Sequence, residues 1–143
     1  MVTVFDVAKY ILKKSGENTA MKLQKLVYYA QAFHLAVTGK PLFDDKIVAW
    51  EHGPVVETLY HVYKHYGDSA VEPTKEYEIP EFDKKTRQLL DEVYRVLGQY
   101  SAWKLREMTH NESPWVNADK KPHGSVITHK DMAKYFKPFV KVE

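Results

Sequence analysis

The sequence contains no cysteine, and this absence excludes disulfide bonds and thiolate metal sites. It also lacks a long apolar run, because no stretch approaches the roughly 20 residues that a helix needs to cross a bilayer. At the start of the chain no basic segment is followed by an apolar one, so we expect no signal peptide. Together these absences predict a cytoplasmic protein without a membrane anchor.

An excess of one charge is missing as well. The 21 Lys and Arg residues and the 19 Asp and Glu residues leave a net charge of only +2, and such a balance does not by itself indicate a nucleic-acid partner. The six glycines are scattered along the chain, and they form no glycine-rich phosphate-binding loop. Charge and glycine therefore give no sign of a nucleotide ligand.

What the sequence has in quantity is apolar and aromatic side chains. Hydrophobic residues make up 44% of the 143 residues, which is sufficient for a core without disulfides or metals. The length predicts a single domain that spans residues 1–143. Ten residues are tyrosine, a side chain whose apolar ring and polar tip suit both cores and interaction surfaces.

Apolar spacing predicts a mainly α (α+β) fold, a single compact domain of about six helices with a small β element. The strongest pattern runs from Ala20 to about Thr38, with Thr19 as the N-cap and Gly39 as the C-terminal stop. A second apolar line widens its hydrophobic arc, so we expect burial on more than one side. The other predicted helices span about residues 4–14, 54–66, 81–97, 102–110 and 129–136.

The β element and a sharp corner lie in the segment Ile47–Val56, whose sequence is IVAWEHGPVV. Its apolar start predicts a short strand, and Gly53 allows backbone angles that other residues resist. Pro54 suits the first position of a helix, where its missing N–H is not needed. We therefore predict a strand, a corner and a helix in direct succession, with Trp50 and His52 held beside the corner.

Two segments are predicted to be loops. Residues 68–80 are acidic, contain Pro73 and Pro80, and include one short extended piece around residues 77–79. We expect this segment to be the most mobile part of the chain. Residues 116–126 contain glycine, proline and lysine and form the second predicted loop.

Two groups of histidines invite a metal or catalytic interpretation. His61 and His65 are four residues apart, so they share one helix face as metal ligands do, but no third ligand or His-Glu-x-x-His pattern accompanies them. His52, His110 and Glu112 form a titratable cluster if the corner meets the end of the fifth helix. No nucleophile motif accompanies this cluster, and a small hydrolase or a metal-binding protein is kept as the alternative function.

A basic stripe with interleaved aromatic residues lies near the C-terminus. Such a stripe can bind nucleic acid, but it is also typical of an amphipathic helix that docks through Met132, Phe136 and Phe139. We favour docking because Pro138 interrupts the helix that would present the stripe. The stripe consists of Lys130, Lys134, Lys137 and Lys141.

The three tryptophans, Trp50, Trp103 and Trp115, allow two interpretations. Burial is the default, because removing a core tryptophan typically costs about 3–5 kcal/mol. Tryptophan and tyrosine also dominate the energetic centres of protein interfaces. The sequence leaves both roles open.

Four ordered blocks extend a single similarity over about residues 4–136. They are Leu23–Ala36, Gly39–Asp44, Ile47–Val56 and Leu105–Trp115. In these blocks the sequence resembles the Panacea domain of SocA-like antitoxins and of GepA-type phage-associated proteins. Both characteristic pieces of that domain, the Trp-x-x-Gly-Pro-Val corner and the Thr-His-x-x-x-Pro-Trp block, are intact.

The resemblance implies a non-enzymatic antitoxin, without a cofactor or metal, that neutralises a cognate toxin by direct protein contact in a prokaryotic or phage context. It also implies an adaptor role in which the toxin is delivered to a ClpXP-type protease. Self-association into a homo-oligomer stays open. We expect neither a membrane partner nor a nucleic-acid partner.

The resemblance further assigns the matched blocks to a stable frame and the unmatched segments to specificity. Specificity would lie in the two predicted loops and in exposed tyrosines of the third helix. We expect Thr109 and His110 to tie the loop after the fifth helix to the corner. The candidate structural and partner-binding residues are Trp50, His52, Gly53, Pro54, Tyr60, Tyr63, Thr109, His110, Pro114 and Trp115.

Overall fold

Helices dominate the computed structural model, which describes residues 2–14, 18–67, 69–71, 81–122 and 124–140. Within these ranges a two-stranded antiparallel sheet accompanies the helices, and the mainly α prediction is confirmed. Short 3₁₀ turns follow the third and the last helix. The elements are α1 (Val4–Lys14), α2 (Ala20–Thr38), β1 (Ile47–Trp50), β2 (Gly53–Val56), α3 (Glu57–Tyr63), α4 (Lys84–Leu97), α5 (Ala102–His110), α6 (Ser113–Asp119) and α7 (His129–Phe136).

Helix α2 is the centre of the fold, and its predicted bounds are confirmed. The Thr19 hydroxyl accepts a hydrogen bond from the Lys22 backbone N–H at the start, and Gly39 closes the helix in the left-handed conformation. Helices α1, α3, α4, α5 and α7 and strand β2 all contact α2. The predicted burial on more than one side follows from this arrangement, because neighbours cover the helix from several directions.

An aromatic cluster joins α2 to α7. Tyr28 and Tyr29 are buried, and their rings lie 6.2 and 5.8 Å from the ring of Phe136. Phe33 adds a third contact, with 4.9 Å between its ring centre and that of Phe136. Offset and edge-on aromatic pairs of this kind contribute about 0.5–1.5 kcal/mol each beyond their buried area.

Helix α7 begins where the sequence predicts, with the Thr128 hydroxyl accepting from the Asp131 backbone N–H. It docks through Met132 and Phe136, which are buried, whereas Phe139 is 66% exposed and the prediction that it docks is wrong. The 3₁₀ turn at residues 137–139 turns that ring away from the core. The lysines at positions 130, 134 and 137 are exposed, and Lys141 lies outside the described residues.

Two buried glutamine side chains of α2 replace missing backbone partners. The Gln24 amide accepts from the Val56 N–H at 2.8 Å and donates to the Val56 carbonyl at 3.1 Å. The Gln31 amide accepts from the Leu42 N–H at 2.7 Å and donates to the Phe43 carbonyl at 2.8 Å. Buried backbone groups need such partners, so these two side chains fix the segment before β1 and the last residue of β2 against α2.

The predicted helix start at Pro54 is wrong, because Pro54 lies in β2. The register pairs Trp50 with Gly53 and Ile47 with Val56, which makes the corner a tight β-hairpin. On its other side, β1 hydrogen-bonds residues 125–127 through the Ala49 N–H and the Ile47 carbonyl. Strand β2 is therefore an edge strand, and a proline is compatible with an edge because its missing N–H breaks no ladder there.

Three other boundaries differ from the prediction. Helix α3 begins at Glu57, and α4 begins at Lys84, where the Asp83 carboxylate accepts from the Thr86 N–H. The predicted loop at 116–126 is wrong in its first part, because α6 continues to Asp119. The extended piece and the mobility predicted for residues 72–80 lie outside the described residues.

Candidate partner-binding face

The hairpin turn is held by the junction between α5 and α6. The indole N–H of Trp115 donates to the backbone carbonyl of Trp50 at 2.9 Å. The imidazole ring of His110 stacks on Trp115 at 4.1 Å between ring centres and lies against the backbone of Glu51. Burial and the nearby Arg106 lower the pKa of His110, so this ring is neutral at pH 7.

Gly53 allows the hairpin to approach α2 and α5 closely. Its φ of +115° disfavours any residue with a Cβ atom. A Cβ placed there would lie 2.7 Å from Lys25 Cε and 3.0 Å from Thr109 Oγ1. Thr109 is fully buried, and its hydroxyl donates to the Arg106 carbonyl at 2.8 Å. The missing side chain at position 53 is therefore what brings the hairpin, α2 and α5 together.

Lys25 is a buried cation beneath this hairpin. Only 1% of the residue is exposed, and its ammonium donates to the Pro54 carbonyl at a long 3.4 Å. Burial, with a smaller contribution from Arg106, lowers the pKa of Lys25 to about 7. A lysine buried this deeply is unusual, because desolvation disfavours the charged form.

A row of exposed and half-buried aromatic and basic side chains crosses the outside of the hairpin. Trp103 is 58% exposed, and the Arg106 guanidinium lies 4.6 Å from the centre of its ring. Arg106 also donates from Nε to His52 Nδ1 at 3.2 Å. Beyond the turn, the rings of Trp50 and Tyr60 meet edge to face at 5.0 Å. We call these five residues the aromatic–arginine row.

Sequence reasoning missed Trp103, because burial is the default expectation for tryptophan. A signal was present in the helical spacing of α5. Leu105 and Thr109 mark its buried stripe, whereas Trp103 shares its face with Arg106 and Glu107 at the i+3 and i+4 positions. A tryptophan on a charged helix face indicates an interaction surface more strongly than a tryptophan on the apolar face does.

The other candidates are spread over frame and surface. Pro114 is buried at the start of α6, Tyr63 is half-buried, and Tyr60 is 38% exposed. Trp50 and Trp115 are half-buried. Most of the candidate residues therefore belong to the stable frame, whereas the hairpin turn and Tyr60 lie at the surface.

The alternative cluster of His52, His110 and Glu112 has no shared ligand geometry. Among the described residues, no group of three or more His, Asp or Glu side chains is arranged to hold a metal ion. Each member has its own partner: Arg106 for His52, Trp115 for His110, and Tyr29 for Glu112.

Comparison with known proteins places this sequence in a family. The family model described as "Antitoxin SocA-like, Panacea domain" matches residues 23–116. The chain belongs to this SocA-like antitoxin family. The match begins in α2 and ends directly after Trp115, so it covers fewer residues than the resemblance over 4–136. The matched range contains the hairpin and all five residues of the aromatic–arginine row. No curated protein and no solved structure matches the chain.

A search of the described residues of this Panacea domain for a helix with the length and apolar character of a membrane span found none.

A buried carboxyl group, that of Glu112, lies inside the Panacea domain. Glu112 is 8% exposed, and its Oε2 accepts from the Tyr29 hydroxyl at 2.9 Å, whereas Oε1 has no partner among the described residues. Burial raises the pKa of Glu112 to about 7, although the Tyr29 hydrogen bond opposes the shift. The protonated acid is therefore favoured in the folded state below neutral pH.

We expect Glu112→Gln to remove a pH dependence of stability. The pKa of Glu112 is about 7 in the folded protein against an ordinary 4.5. The contribution of this carboxyl group to the free energy of unfolding is therefore fully present below pH 4.5 and is lost as the pH rises to 7. Because Gln can still accept from Tyr29, the variant should gain about 2–3 kcal/mol over the wild type between those pH values. Urea unfolding of both proteins across this range measures the difference, and a constant difference would contradict the assignment.

Proposed function

We propose that this Panacea domain is a non-enzymatic antitoxin that neutralises its cognate toxin by direct contact through the aromatic–arginine row. The observation that carries the proposal is the exposed Trp103, stacked on an Arg106 that is itself bonded to His52. Tryptophan, tyrosine and arginine are the residues that dominate binding energy at protein interfaces. Family membership supports the antitoxin role, and the row supplies a surface for it.

The row is also held in place before any partner arrives. The guanidinium of Arg106 is fixed on one side by the Trp103 ring and on the other by His52. Trp50 is fixed from below by the hydrogen bond from Trp115 to its carbonyl. Side chains that are already ordered lose less conformational entropy on binding, which favours affinity.

We further propose that the same protein acts as an adaptor for a ClpXP-type protease, as the family resemblance implies. The toxin would cover the row, so the protease would have to engage a different surface. Loss of toxin binding and loss of toxin degradation should therefore separate in surface variants, and both activities would take place in the cytoplasm.

Replacing Trp103 by alanine tests the row. With the product of the neighbouring open reading frame as the toxin, we expect Trp103→Ala to weaken binding by at least about 2 kcal/mol, or roughly 30-fold, as for a central interface residue. Because the side chain is 58% exposed, the free energy of unfolding should change by less than about 0.5 kcal/mol. Titration calorimetry measures the binding, growth rescue on co-expression measures the neutralisation, and urea unfolding measures the stability.

The matched control is Phe139→Ala, which removes another exposed aromatic ring far from the row in sequence. It should bind and neutralise the toxin as the wild type does. Equal neutralisation by Trp103→Ala and by the wild type would reject the row as the binding surface. A neighbouring gene product that is harmless when expressed alone would reject the toxin–antitoxin pairing itself.

A further inference from the structure

A pocket of about 260 Å³ opens beside the aromatic–arginine row, between α2, the hairpin and α3. The row supplies three of its lining residues, Trp50, His52 and Tyr60, so a partner on the row also covers the pocket. Its remaining wall is mostly apolar. The apolar side chains that line it include Met21, Leu23, Val55 and Leu59.

The charged residues that line this pocket are all basic. Lys25, His52 and Lys64 line it, and no Asp or Glu does. Arg106 adds a further cation at its edge through its bond to His52. The nearest acidic residues in sequence, Glu51 and Glu57, are exposed and do not line the pocket.

Lys25 is the buried member of this set, and its side chain has an incomplete set of partners. Among the described residues no carboxylate lies within ion-pair distance of its ammonium. An ammonium has three donors, and the one hydrogen bond it makes, to the Pro54 carbonyl, is 3.4 Å long. A buried cation in such surroundings is stabilised by an anion brought to it.

We propose that this pocket receives an acidic side chain of the toxin, flanked by an apolar one, with the Lys25 ammonium as its counter-ion. The proposal rests on the proposed antitoxin function. The apolar wall would contact the neighbouring side chain and the stem of the acid, and the carboxylate would accept from Lys25, which is a lining residue of the pocket.

The size of the pocket favours one anchor residue over a free metabolite. Sites for drug-sized ligands typically enclose about 300–1,000 Å³, whereas this pocket encloses about 260 Å³ and is continuous with the row. Interfaces commonly seat one central side chain in such a desolvated pocket, surrounded by contacts that exclude water. The row would provide those surrounding contacts.

A small probe tests the pocket without the toxin. The probe is 3-phenylpropionate, which carries a carboxylate on an apolar body, and its uncharged counterpart is 3-phenylpropanamide. We expect the acid to bind at least about tenfold more tightly than the amide, as seen in tryptophan fluorescence and in amide chemical shifts around Leu59. Equal binding of acid and amide would overturn the assignment of a carboxylate, whatever Trp103→Ala shows.

Two lysine variants of α2 then test the residue. Lys25→Met keeps the length of the side chain and removes the charge, and it should abolish the preference for the acid. Lys22→Met is the matched control, since Lys22 donates to the Gly98 carbonyl and does not line the pocket. Thermal unfolding verifies that both variants are folded, and the acid–amide comparison on the wild type needs no variant at all.

Toxin binding by the same two lysine variants is the last test. Lys25→Met should weaken toxin binding at least about tenfold, and Lys22→Met should leave it unchanged. If Lys25→Met loses the probe but binds the toxin normally, the pocket is a small-molecule site and the toxin-anchor proposal is wrong. If the neighbouring gene product is not a toxin, the antitoxin function fails and the toxin-anchor proposal fails with it, while probe binding still decides whether the pocket selects carboxylates.

Discussion

Gly53→Ala should lower the free energy of unfolding by about 2–6 kcal/mol, from about 1–3 kcal/mol of backbone strain and a similar cost of overpacking. The strain arises because φ at position 53 is +115°. The overpacking arises because the new Cβ would lie 3.0 Å from the buried, hydrogen-bonded Thr109 Oγ1 and would also displace the end of the Lys25 side chain, 2.7 Å away. Gly53→Val adds two methyl groups at the same point and should prevent folding. Urea unfolding of the alanine variant and circular dichroism of the valine variant measure these effects.

Gly39→Ala is the matched control for this prediction. Gly39 also has a positive φ, +76°, but an added Cβ would meet nothing within 4 Å. Its alanine variant should therefore lose only about 1 kcal/mol. Equal losses at both positions would show that close contact with α2 and α5 is unimportant. A folded Gly53→Val protein that has lost binding to the proposed toxin would instead make the hairpin corner part of the binding surface.

Gln31→Leu should be the second severe substitution, with an expected loss of about 3 kcal/mol or more. The side chain accepts from the Leu42 and Phe43 N–H groups and donates to the Phe43 carbonyl, and all three backbone groups are buried. Leucine fills a similar volume but leaves these groups without partners. Each unpaired buried group costs about 1–3 kcal/mol, so the loss exceeds that of an ordinary polar-to-apolar change.

The control for this substitution is Gln88→Leu in α4, where the glutamine is exposed. Its stability should change by less than about 0.5 kcal/mol. Hydrogen exchange adds a local measurement, because Gln31→Leu should expose the amides of Leu42 and Phe43 before the rest of the protein unfolds. An unchanged unfolding midpoint for Gln31→Leu would mean that the connection after α2 is held by its apolar side chains alone.

Helix α2 could be predicted to the residue because its signals are local. Thr19 and Gly39 end the helix through bonds to their own neighbours in sequence, and the apolar spacing between them depends on nothing else. The same is true of α7, whose cap Thr128 bonds Asp131. Capping is decided within one turn of chain, and it is visible in a sequence that has not yet folded.

The second strand could not be predicted in this way. Local chemistry at Gly53-Pro54 is typical of a helix start, but β2 exists because β1 pairs with it from the other side of a tight turn. The pairing of β1 with residues 125–127 fixes β1 in the middle, and that contact joins segments far apart in the chain. Tertiary pairing overrode the local signal for a helix start.

The candidate face was predictable in part. The sequence singles out Trp50, His52 and Tyr60, and all three lie in the row. It does not show that Lys25 lies beneath them. Lys25 occupies a helix predicted to be buried on more than one side, so a cation in that helix was a signal of an unusual site.

The dependence of α2 on α7 has a consequence for the order of synthesis. The aromatic face formed by Tyr28, Tyr29 and Phe33 has no cover from Phe136 until the ribosome has released His129–Phe136. Partly synthesised chains therefore expose the aromatic surface of α2 to chaperones and proteases, and this surface is covered only when α7 docks on it. Premature termination anywhere before α7 should yield protein that is degraded rather than a smaller folded domain.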